Sequence, residues 1–143
     1  MNKYTLLGLL IVFSCKSVKY TAAALPDKQV IVGESGGFAG TETNYILCAS
    51  GQVFKMTFPV NKTEEISGLD THKIKDLFQT AWKKDWEKYS YAKSGNLTQM
   101  ISIKNGNNLN KISWASNDTM ISKDLKSYYQ EFHKILQLKS KSK

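Results

Sequence analysis

Hydrophobic positions along the chain fall into three kinds of run, and each predicts a different element. From Tyr4 to Phe13 the residues are almost all apolar. Nothing polar alternates between Leu6 and Val12, so neither face of an element built there could be turned to water. Residues 28–32 form a short β-branched run, Val30-Ile31-Val32 at its centre, that stops before Gly36-Gly37 and reads as a strand. Residues 43–49 and 52–58 read as two further strands, joined at Ser50-Gly51 and ended by Pro59. After a polar connection through residues 62–69, Asp70 is a natural helix cap. Ile74, Leu77, Phe78, Ala81 and Trp82 then follow helical spacing. Residues 97–104 and 109–115 predict a hairpin turning through Asn105-Gly106-Asn107-Asn108. Ser122 can cap a closing helix with Leu125, Tyr128, Tyr129, Phe132, Ile135 and Leu136 on one face.

The predicted order is β-β-β-α-β-β-α. With tight turns between strands, this favours an α+β domain over residues 28–138, an antiparallel sheet of about five strands with two helices packed on one face. Residues 15–27 lack hydrophobic periodicity and end at Leu25-Pro26, which reads as a tether. Residues 139–143, Lys-Ser-Lys-Ser-Lys, read as a frayed basic tail.

The first apolar run follows Lys3 and has the length of a signal-peptide core, too short to cross the ~30 Å hydrocarbon layer of a bilayer. Two cleavage sites compete. Ala22-Ala23-Ala24 has the small residues of an ordinary site, but Lys16 and Lys19 separate it from the apolar run. Val12-Phe13-Ser14-Cys15 resembles the lipobox of bacterial lipoproteins and is the favoured reading: a signal peptide over residues 1–14 and lipidation of Cys15. Several acyl chains there would anchor the chain to a membrane, each buried CH₂ contributing ~0.8 kcal/mol. Lys16 is not the aspartate associated with inner-membrane retention. The expected location is therefore the bacterial cell envelope, on the outer membrane and facing the periplasm.

Charge narrows the classes of partner. The full chain carries +8, and every basic residue is a lysine. Bidentate recognition of bases and phosphates favours the planar arginine fork, so nucleic acid is not an expected partner. With Cys15 lipidated, Cys48 has no disulfide partner and reads as a small buried hydrophobe. His72 and His133 fall in no metal-ligand spacing, and the acidic residues and serines form no catalytic motif. No enzyme activity, cofactor or metal is expected, and oligomeric state is left open.

Trp82 and Trp114 fit core positions, whereas Trp86 and Tyr89, amid charges between elements, are candidates for a partner-binding surface. The other candidate is Glu34-Ser35-Gly36-Gly37-Phe38-Ala39-Gly40. Its glycines permit positive φ and close backbone approach. Phe38 is expected to turn inward as a plug, with an outward anchor as the alternative. Without a following helix, the glycines make a poor phosphate cradle.

This glycine segment, directly after a first strand, resembles the SGGFAG opening of emfourin, a protein inhibitor of protealysin and related thermolysin-like metallopeptidases. The order that follows is also similar, through Phe78 to Trp82, the hairpin with Ile101 to Ile103 and Ile112 to Trp114, and the Leu-containing last helix. Small lipoproteins of Bacteroidetes-type bacteria carry a related pattern. The resemblance implies a non-enzymatic, protein-binding envelope lipoprotein. Gly36, Gly37, Phe38, Ala39 and Gly40 would occlude the cleft of a secreted or periplasmic metallopeptidase. The competing reading is a structural or ligand-binding envelope protein that takes peptide or cell-wall glycan.

Overall fold

The computed structural model describes residues 18–141. The signal peptide expected over residues 1–14, and Cys15, lie outside the described residues. The first strand runs on from the β-branched Val30-Ile31-Val32 through Gly33 and ends at Gly36, giving β1 Lys28–Gly36. Beside it on one side are β2 Thr41–Leu47 and β3 Val53–Phe58; on the other are β5 Leu97–Asn105 and β6 Asn108–Ala115. With β4 Lys62–Glu65 at the edge, the sheet is antiparallel and six-stranded, in the order β4-β3-β2-β1-β5-β6. The α+β architecture read from the pattern is the one observed.

Alternation along these strands separates two faces. On one, Val30, Val32, Leu47, Val53, Ile101, Ile103, Ile112 and Trp114 meet the helices α1 Thr71–Lys83 and α2 Lys123–Lys141. The Asp70 carboxylate caps α1 by accepting from the backbone N–H groups of His72 and Lys73 at 3.1 and 3.2 Å. Ile74, Leu77, Phe78 and Ala81 form its buried stripe. On α2 the stripe is Leu125, Tyr128, Tyr129, Phe132 and Ile135. Tyr128 ties the helices together by donating its buried hydroxyl to the Leu77 carbonyl at 3.0 Å.

Three expectations need correction. The connection after β3 contains a sixth strand: Asn61 takes a φ of 51° and returns the chain so that Phe54 pairs with Glu65. The described residues before β1, from Val18 on, are not a free tether. Tyr20 and Leu25 pack with Ile31 and Met56 over Ile46, Cys48 and Phe54 on the sheet's second face. The basic tail is not frayed at its start, since α2 continues to Lys141.

Strand directions give the molecule two ends. At one lie the β2–β3 turn, the β5–β6 turn, the start of α1 and the end of α2. The β1–β2 turn lies at the other, where Ser116 also donates its N–H to the Leu97 carbonyl at 2.9 Å.

Candidate functional site

The β1–β2 hairpin closes on the pair Gly36↔Thr41, leaving Gly37, Phe38, Ala39 and Gly40 as its tip. Gly36, Gly37 and Gly40 have φ of 112°, 75° and 58°, a region that L side chains avoid. At Gly36 there is a second requirement. A Cβ there would sit 2.2 Å from the Asn96 carbonyl oxygen, and that same carbonyl accepts from the Gly37 N–H at 2.7 Å. The stem is thus locked to the β5 side, while around Gly37 and Gly40 there is open space.

Phe38 projects from this tip fully into solvent, with a relative exposure of 113%. The inward plug is overturned. The four-residue loop extends beyond the last strand pair, so no core lies within reach of the ring. Gly37, Ala39 and Gly40 are exposed beside it.

Trp86 and Tyr89 belong elsewhere. Trp86 is 5% exposed and sets its ring edge-on against Tyr128, with centroids 5.0 Å apart. Tyr89 is half-buried against the same core. The Asn110 side-chain amide clips this short turn onto β6, donating to the carbonyls of Trp86 and Tyr89 at 2.7 and 2.8 Å. A buried ring cannot lie on the exposed partner-binding surface for which both residues were candidates. Trp114 is fully buried as expected, while Trp82 is half-buried with the Lys28 ammonium 5.2 Å above its ring.

A polar hollow of about 370 Å³ opens at the hairpin-tip end, between α2 and the sheet. Gln99, Lys126, Tyr129, Gln130, His133 and Lys134 are among its walls. Tyr129 donates its hydroxyl to Glu34 Oε2 at 3.2 Å, and Gln99 Oε1 accepts from Trp114 Nε1 at 2.8 Å. The Tyr129 and His133 rings pack with centroids 4.4 Å apart at a tilt of 40°, and the buried Nε2 of His133 has no protein partner. Burial, and secondarily the Glu34 carboxylate, raises the Tyr129 phenol far above its ordinary value. Burial also holds the His133 imidazole below its ordinary value, although Glu34 pulls the other way. At neutral pH the hollow therefore presents a protonated phenol and a neutral imidazole, groups suited to hydrogen-bonding a polar ligand.

Cys48 is buried, and burial, with Glu65 as a smaller cause, pushes its thiol up to about 11. Among the described residues no three His, Cys, Asp or Glu side chains gather as metal ligands. No protein-family model matches the sequence, and no curated protein is significantly similar to it.

Proposed function

We propose that this chain is a lipid-anchored, non-enzymatic envelope protein that binds another protein through the tip of its first hairpin. Its partner is a thermolysin-like metallopeptidase that it inhibits. The observation carrying this reading is Phe38: a large apolar side chain, wholly exposed, on a tip whose stem is fixed in the middle of the sheet. An isolated exposed aromatic contributes nothing to folding, whereas aromatic anchors dominate binding once a partner pocket desolvates them. Because the stem is held by β2, β5 and the Asn96 carbonyl, little backbone ordering remains to be lost on docking. The similarity of Ser35 to Gly40 to the emfourin opening supplies the class of partner.

Phe38→Ala separates this reading from a structural role. Thermal unfolding of the variant should match that of the parent, while calorimetric binding to a thermolysin-like peptidase weakens by about 2 kcal/mol or more. A large loss of thermal stability with binding retained would sink the proposal.

The polar hollow favours a second reading, a site for peptide or cell-wall glycan. The amides of Gln99, Gln130 and Gln137 that line it beside His133 suit hydroxyl and amide groups. Binding of soluble muropeptides, lost in His133→Ala and kept in Phe38→Ala, would establish it over the first.

A further inference from the structure

The two ends of the sheet differ in a way that concerns the membrane. Gln52, in the β2–β3 turn, accepts from the Tyr20 backbone N–H at 2.8 Å and donates to the Tyr20 carbonyl at 3.1 Å. Its amide also donates to Glu65 at 3.0 Å, which fixes the clamp to the sheet edge. Only five backbone steps separate Cys15 from Tyr20. At a maximum of about 3.6 Å per step, they reach about 18 Å.

The C-terminal end of the chain comes to the same place. A Cβ on Gly51 would touch the Thr71 backbone at the start of α1. Just before that helix, Gly68 faces the Lys139 side chain, with Cε 3.9 Å from its Cβ position. Lys19 and Lys141 are exposed at this end. Acidic side chains also stand at this end: Asp27, Glu65, which accepts from Gln52, Asp70, which caps α1, and Glu87, beside Asn105 and Asn108 of the β5–β6 turn. Phe38 lies at the other end, beyond the 9 residues of β1. That is about 30 Å away at ~3.3 Å per residue.

We infer that the end carrying the Tyr20–Gln52 clamp and the α2 terminus is a membrane-docking surface for anionic phospholipid, which holds the Phe38 tip pointing away from the bilayer. This rests on lipidation of Cys15. The short reach of the chain brings this end to the headgroups. Its lysines then add attraction that acts only within a Debye length of about 8 Å. A partner approaching from the aqueous side would meet the hairpin tip first.

The test uses the full chain, lipidated in cells and reconstituted in vesicles of phosphatidylethanolamine with phosphatidylglycerol. A benzoylphenylalanine photocrosslinker is placed at Ala49, Asn107 or Phe38, and incorporation of labelled palmitate is followed in parallel with Cys15→Ala. Lipid adducts are expected at Ala49 and Asn107 and not at Phe38. Lys19→Glu combined with Lys141→Glu should lower them about fivefold or more in anionic vesicles and leave them unchanged in zwitterionic ones. Equal adducts at Phe38 and Ala49 in a palmitate-labelled chain overturn the orientation while the anchor stands. Adducts that ignore the charge reversal overturn the role of the lysines. Palmitate retained by Cys15→Ala removes the anchor and this inference with it.

Discussion

Gln52 holds Tyr20 from both sides, accepting from its N–H at 2.8 Å and donating to its carbonyl at 3.1 Å across 32 positions of sequence. This clamp turns a segment without hydrophobic pattern into part of the domain. It also sets which end of the sheet the N-terminal segment leaves from. Gln52→Ala should cost about 1–2 kcal/mol in denaturant unfolding, since several part-buried hydrogen bonds are lost together. Local release should be plainer still: hydrogen exchange at the Tyr20 amide should accelerate while amides of β1 stay protected. An unchanged Tyr20 exchange rate would show that the clamp is not what seats the segment.

Two adjacent glycines should behave differently. Gly36→Ala meets both a φ of 112° and a carbonyl oxygen 2.2 Å from the new Cβ, so a loss of about 3 kcal/mol or more is expected. Gly37→Ala carries only the strain of its φ of 75°, with open space around it, and should cost ~1–2 kcal/mol. Chemical denaturation of the two variants checks the ranking, and equal losses would mean that the Asn96 contact yields freely.

The regular elements were legible in the sequence because their periods are strong. The β-branched run around Val30, the Asp70 cap and the stripe from Ile74 to Ala81 each state one local conformation, and the structure keeps them. β4 was illegible because Lys62-Thr63-Glu64-Glu65 carries no apolar alternation; pairing with β3 makes it a strand. The glycine segment was recognisable as unusual, yet the direction of Phe38 depends on how far the loop extends past the Gly36↔Thr41 pair, which composition does not encode. Trp86 and Tyr89 looked exposed because charges surround them, but Trp86 is buried against Tyr128 and Tyr89 half-buried on the same core, and Asn110 holds their carbonyls from a distant strand. The polar hollow was equally hidden, being assembled from Gln99 of β5, Ser116 just after β6, and α2 only after folding.

His133 gives the fold a pH dependence of definite sign. Burial lowers its folded-state value below the ordinary 6.5, so between that lowered value and 6.5 the unfolded chain binds more protons than the folded one. Stability should therefore rise with pH through this window and be lost as pH falls through it. NMR titration should place the imidazole midpoint below 6.5, and His133→Gln should flatten the stability profile there. A midpoint at or above 6.5 would contradict the burial argument.

Thiol reactivity distinguishes the two cysteines. Cys48 is buried and its thiol is pushed up to about 11, so it should resist alkylation at neutral pH until the chain unfolds. A chain lipidated on Cys15 should yield no reactive thiol when native and one in denaturant. A second thiol in denaturant would show that Cys15 carries no lipid.

The most direct measurement is the initial rate of a thermolysin-like metallopeptidase titrated with the purified chain and, separately, with Phe38→Ala. If the hairpin tip occludes the cleft, the rate falls with the parent chain and recovers largely with the variant, both proteins remaining folded and intact. A rate that stays flat at micromolar concentrations of the folded parent chain contradicts it.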